Sequence, residues 1–193
     1  MDELLDEWLG PGDVPDGARQ ARWWTKDPGF DAHLRERFGA LLERGARGEL
    51  DHWAETPRGA LALVILLDQL SRNVYRGTAR AFAQDAHALA LTRRALERGF
   101  DRELPPIHRV FLLMPLMHSE DLGDQRESVA RFEALAEGAA GELAPALEQN
   151  ADYARQHLVI VERFGRYPHR NEILGRPSTP EEIAFLKEPG SSF

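Results

Sequence analysis

Residues 58–77 read RGALALVILLDQLSRNVYRG. From Leu61 to Leu70 this stretch is apolar almost all round, so it forms the central buried helix of the fold rather than an amphipathic surface one. Thr56 and Pro57 open it, as N-cap and first helical residue, and Gly77 stops it. A helix apolar on every side must be surrounded, so the segments flanking it in the chain have to supply apolar faces. Alternating strand patterns of Val, Ile and Thr between turns are missing. The reading is therefore an all-α protein.

Working outward toward the N-terminus, Leu4, Leu5, Trp8 and Leu9 predict a short first helix ended by GPGD, with a loop running from there to WWTKDPGFD. Asp27 caps the next helix and Pro28 takes its first position. Phe30, Leu34, Phe38, Leu41 and Leu42 then follow helical spacing up to Gly45–Gly48. Trp8, Trp23 and Trp24 either cover the core or make a dimer contact.

Toward the C-terminus, Thr78 is read as the cap of an alanine-rich helix, ARAFAQDAHALALTRRALERG. Pro105-Pro106 starts IHRVFLLMPLMH, which Pro115 should kink. SEDLGD is a tight turn with Asp121 as N-cap. QRESVARFEALAEG and APALEQNADYARQHLVIVERFG are amphipathic helices. STPEEIAFL is a short helix with a capping box of Thr179 and Glu182. Only EPGSSF at the end reads as loose. Short loops between the middle helices place successive helices antiparallel. The expectation is one helical domain over residues 1–193, built of stacked antiparallel helical hairpins resembling tetratricopeptide repeats, with no clear repeat of about 34 residues in the sequence.

The chain has 193 residues, a formal net charge of −8 and no cysteine. The acidic balance argues against nucleic acid as a partner. The missing cysteines remove disulfides, thiolate nucleophiles and Cys-ligated zinc. The acidic start MDELLDEWLG lacks the positive charge of a signal peptide, and the longest apolar run, Ala60–Leu67, is too short to span a bilayer. A cytoplasmic protein with no membrane association is expected. No cofactor or metal site is assigned, and homo-oligomerisation is left open.

Three places break the apolar pattern. In DQLSRN, Asp68 and Arg72 are four apart, as are Gln69 and Asn73, so the four lie on adjoining strips of one helix. They form either an ion pair with helix-tying amides or one wall of a polar pocket. In HSEDLGDQ, His118, Ser119, Glu120 and Asp121 fall between helices, where capping competes with a catalytic or metal-ligating role. In the last long helix, His157 shares an apolar face with Tyr153, Ile160, Val161 and Phe164. The stretch ERFGRYPHRNEILGRPST (162–179) follows. Between Arg163 and Arg176 it carries four arginines and one glutamate, a local charge of about +3 in an acidic chain. Arg163, Arg166, Arg170 and Arg176 offer forks suited to carboxylate or phosphate, with His169 and Asn171 beside them. They either pair with Asp68, Glu120, Asp121 and helix carbonyls, locking the tail in place, or hold an anion.

Four stretches in order, WW.KDP.FD at Trp23–Asp31, LLDQLSRNVYRGTARAFAQD at Leu66–Asp85, PLMHSEDL..Q at Pro115–Gln125 and FGRYPHRNEILGR.ST.EE..FL at Phe164–Leu186, together resemble the bacterial domain-of-unknown-function family 924. The resemblance implies an all-helical fold of tetratricopeptide-like hairpins. It implies no activity and no catalytic residues.

Three functional readings stand open. The first is binding of a small anionic ligand or acidic peptide in a polar groove by Arg166, Arg170 and Arg176 with His169 and Asn171, walled by Asp68, Gln69, Arg72 and Asn73. The second is hydrolysis of an anionic small molecule, with or without a metal, using His118 or His157 as base and Glu120 or Asp121 to orient it. The third is a purely structural polar network in a protein-interaction scaffold.

Overall fold

The computed structural model describes residues 1–12 and 17–192, and every regular element among them is helical. Residues 13–16, read from the sequence as loop, and Phe193, in the tail read as loose, lie outside the described residues. The chain divides into two compact units. The first comprises Met1–Arg76 and Arg80–Pro115, and the second Gly77–Ala79 and Leu116 onward.

In the first unit, α1 (Asp2–Trp8) buries Leu4, Leu5 and Trp8. The segment before Trp23 is not all loop: Gly17–Trp24 forms α2. Its reason is tertiary. The Trp23 indole Nε1 donates to the Trp8 carbonyl at 2.9 Å, and its ring stands edge-on to Phe111 with centroids 4.7 Å apart. Trp24 stays exposed. In α3 (Pro28–Ala46) the Asp27 side chain accepts from the Gly29 and Phe30 amides, as its N-cap position requires.

The central rod begins as α4 (Pro57–Val64), with Thr56 Oγ1 accepting from the Gly59 amide. It then widens into a π-helical turn at Ile65–Leu70 and returns to α-geometry in α5 (Ser71–Val74). All ten residues from Leu61 to Leu70 are buried, including Asp68 and Gln69. The rod packs against α3 and α6 (Asp85–Glu97). Thr78 does not cap a long helix. Ala79–Phe82 is a 3-10 turn and α6 starts only at Asp85. That path lets both Phe82 and Asp85 reach Arg72. Next, α7 (Pro106–His118) continues through Pro115. Thr92 on α6 donates to the Leu112 carbonyl of α7 at 2.9 Å.

In the second unit, α8 (Leu122–Glu137) and α9 (Ala144–Phe164) pack along one another. Arg126 faces Glu162 at 3.6 Å and Glu133 faces Arg155 at 2.7 Å. As one helix advances its partner retreats, so the two are antiparallel. Asp121 caps α8 by accepting from the Asp124 amide at 3.0 Å. Gly165, with φ of 66°, ends α9 in a left-handed conformation that a side chain would resist. Beyond it, Ile160, Val161, Tyr167 and Phe185 form a small core with Phe164 against it. Tyr153, placed on the apolar face by its spacing, is exposed; it lies about two turns before Ile160, where this core begins. The last helix, α10 (Pro180–Phe185), has the complete capping box of Thr179 and Glu182. The tail is less loose than its composition suggests, because Ser191 is buried and its hydroxyl donates to the Leu186 carbonyl at 3.3 Å. Among the described residues, no helix is long and apolar enough to cross a membrane.

Candidate functional site

The candidate residues fall into two polar clusters, one in each unit. In the first, the π-turn carries Asp68 and Gln69 into the interior. Arg72 Nη1 lies 3.1 Å from Asp68 Oδ1, and its fork spans both Asp85 oxygens at 3.0 and 3.1 Å. Gln69 Nε2 donates to Asp68 Oδ2 at 2.6 Å and approaches Met114 Sδ at 3.4 Å. The Asp68–Arg72 pair expected from the spacing is present. Asn73 belongs to a different group. Its amide donates to Asp31 Oδ1 at 2.8 Å, where Arg76 makes a two-pronged contact at 2.6 and 2.9 Å. Burial acts to raise the Asp31 pKa, but the Arg76 and Asn73 bonds outweigh it and hold the carboxyl below its usual range.

The second cluster is built around Tyr167, which is fully buried just past the end of α9. Its hydroxyl donates to the Met117 carbonyl at 2.6 Å and accepts from Gln125 Nε2 at 2.7 Å. The Arg170 guanidinium carbon sits 4.5 Å from the ring centroid, and the side chain is buried with 6% exposed. His157 stands edge-on at 5.5 Å, His169 lies at 5.5 Å, and His118, at the end of α7, is 6.4 Å from His157. The His157 ring nitrogen Nδ1 is 2.7 Å from the Tyr153 carbonyl. A carbonyl only accepts, so Nδ1 carries the proton and Nε2 is the ring's acceptor. Burial, with Arg170 and the other histidines adding repulsion, lowers the His157 pKa to about 3 against the bond to Tyr153.

The arginines around this cluster are largely occupied. Arg176 grips Glu120 at 2.6 and 2.9 Å, and Asn171 Oδ1 accepts from Arg176 Nε at 2.9 Å. Arg166 grips Glu182 at 2.6 and 2.8 Å, and Arg163 reaches Glu181 at 3.0 Å. The Glu120 pairing matches the partners expected from the sequence. Arg163 and Arg166 take carboxylates from α10, and Asp121 serves as the α8 cap. The Arg166 bonds bring the Glu182 pKa down to about 2.

Among the described residues, no three His, Asp or Glu side chains are placed to share one metal ion. A cavity of about 100 Å³ opens in the first unit beside Leu5, Leu9, Arg58 and His108, and none of its lining residues belongs to either cluster. Sequence reasoning missed Gln125 and Ser128, both fully buried on α8. Their signal was available: they stand seven and four residues before the buried Phe132, on the same helical face.

Comparison with known proteins agrees with the helical architecture. The family model described as a bacterial protein of unknown function (DUF924) matches residues 4–190. A solved structure of a protein of unknown function from Agrobacterium tumefaciens is similar, with a TM-score of 0.83, 37% identity and 96% of each chain covered. A stretch of 95 residues, 47% of this chain, is 34% identical to the glycine–tRNA ligase beta subunit of Geotalea uraniireducens (strain Rf4). That match spans only 13% of the ligase subunit's length.

Proposed function

The chain belongs to this bacterial family of unknown function, and from that premise we propose that its second unit binds a small anion through the cluster around Tyr167. The observation that carries the proposal is the gathering of a buried arginine and two histidines about one tyrosine ring, with a third histidine, His118, against His157. A guanidinium fork matches a carboxylate or phosphate oxygen pair, and imidazoles add directed hydrogen bonds. The frame is preorganised, since Tyr167 is fixed at its hydroxyl by Gln125 and Met117 and at its amide by Glu120. The ligand-binding set expected from the sequence narrows. Arg166 and Arg176 hold Glu182 and Glu120, and the proposal rests on Arg170, His157 and His169, which surround Tyr167, with His118 against His157.

For the hydrolytic reading, a His157 with a pKa near 3 is a poor proton acceptor at neutral pH, which leaves His118 as its candidate base. The structural-network reading also has an observation behind it, because the Glu120–Arg176 and Glu182–Arg166 pairs knit the C-terminal segment to its surroundings.

The test is calorimetric titration of the purified protein with inorganic phosphate and with simple carboxylates. Arg170→Ala and Arg170→Lys are measured beside it, with the exposed Arg163→Ala as control. Binding should weaken at least tenfold in Arg170→Ala, less in Arg170→Lys, and not in Arg163→Ala. Unchanged affinity in both folded Arg170 variants, or no binding of any anion by the wild type, would sink the proposal.

A further inference from the structure

Gln125 holds its side-chain amide in one orientation. Its Nε2 lies 2.7 Å from the Met117 carbonyl and 2.6 Å from the Ser119 carbonyl. It also lies 2.7 Å from the Tyr167 hydroxyl, which already donates its own proton to Met117. The two carbonyls can only accept and so need a donor at that end, which prevents the amide from flipping. The other end, Oε1, is buried and receives no hydrogen bond from any described residue. One helical turn on, the Ser128 hydroxyl is equally buried and equally without a partner among the described residues. Positions three apart on a helix are neighbours. Gln125, bonded to the Tyr167 hydroxyl, therefore brings to this cluster an atom able only to accept, with the Ser128 hydroxyl one turn further along α8. Buried acceptors are normally satisfied, and leaving one bare is unfavourable.

We infer that the anion taken by this cluster carries a hydrogen-bond donor of its own, an O–H or N–H, which Gln125 Oε1 accepts with Ser128 Oγ beside it. The inference rests on the anion-binding reading above and adds to it the ligand's class: a hydrogen phosphate, a hydroxy acid or an amino acid rather than a fully deprotonated anion. Arg170 recognises the negative charge, and Gln125 and Ser128 read the donor. Sites built to bond a ligand's hydroxyl discriminate strongly against analogues that lack it, because their own polar atoms are then left unpaired.

Phosphate and sulfate separate the two requirements. Both are tetrahedral anions, but at neutral pH phosphate keeps at least one O–H and sulfate keeps none. Calorimetric titration of wild type and Ser128→Ala with each anion at pH 7 tests the inference, with a thermal melt of each free protein. Phosphate should bind at least tenfold more tightly than sulfate. The preference should shrink severalfold in Ser128→Ala, while that variant's free protein melts no lower than wild type, since it loses an unpartnered hydroxyl. Equal affinity for the two anions, or a preference that Ser128→Ala leaves intact, overturns the donor requirement while leaving the anion site standing. Binding of neither anion nor of glycolate overturns the anion site, and this inference with it.

Discussion

Arg176 and Glu120, 56 positions apart in the chain, form a two-pronged pair with N–O distances of 2.6 and 2.9 Å, and the Tyr167 amide adds a third bond to Glu120 at 2.8 Å. Burial acts to raise the Glu120 pKa, but these bonds prevail and lower it from 4.5. A depressed carboxyl contributes stability that is complete above its unfolded value and lost as pH falls through the folded one. Glu120→Gln should cost about 1–3 kcal/mol at pH 7. The difference from wild type should narrow in urea melts at acid pH, where Glu120 is itself protonated. Equal stability at pH 7 would mean that the pair holds nothing in place.

His157 adds a second limb to the acid response, in the same direction. Its ordinary value of 6.5 falls to about 3 in the folded protein. Below 6.5 the unfolded chain takes up a proton that the folded ring refuses, so stability declines with pH between 6.5 and 3. The slope approaches about 1.4 kcal/mol per pH unit. His157→Gln should remove that limb and leave the carboxylate limb below it. A variant whose stability tracks wild type across this window would show that His157 titrates normally.

Two glycines in helices should respond in opposite directions to alanine. A Cβ on Gly59 would lie 2.0 Å from the Trp53 carbonyl oxygen and 2.9 Å from the Thr56 hydroxyl that caps α4. The obstacle is backbone, so Gly59→Ala should destabilise by at least about 1–3 kcal/mol. On Gly39 the nearest atom is an Arg35 methylene at 3.9 Å, and Gly39→Ala should stabilise by about 0.4–1 kcal/mol. Paired thermal melts decide both, and the same sign for the two variants would refute the packing argument.

Asp68 and Asp85 share Arg72 but differ in burial. Asp68 is fully enclosed, while Asp85 keeps about a fifth of its side chain in solvent. Breaking a buried pair costs about 3–5 kcal/mol, and an exposed one about 0–1 kcal/mol. Asp68→Asn should therefore lower the denaturation midpoint well below that of Asp85→Asn. The reverse order would place the weight of the cluster on the wrong carboxylate.

What the sequence made legible was local. The caps at Asp27, Thr56, Asp121 and Thr179 follow from one residue and the next three, and each is in place. The all-helical class followed from the apolar run at Leu61–Leu70. What escaped depends on residues distant in the chain. Helix α2 is held by Trp8 and by Phe111, some ninety positions on. The late start of α6 depends on Arg72. Arg166 reads as a free fork until α10 supplies Glu182. Gln125 and Ser128 looked like ordinary polar positions on an amphipathic helix, and only their burial reveals two atoms without partners. The four motifs pointed to the family, and the family model bears that out.

The π-turn at Ile65–Leu70 has a consequence for how the protein can change over generations. A widened turn holds one residue more than an α-turn does, so losing any one residue there would let the rod close into regular α-geometry. The α5 turn that continues the rod would rotate by about 100° relative to its neighbours. Arg72 would swing away from Asp85, and Asn73 and Arg76 from Asp31. One apolar side chain can replace another across the stretch at modest cost, whereas the loss of a single residue would undo both ion-paired groups at once.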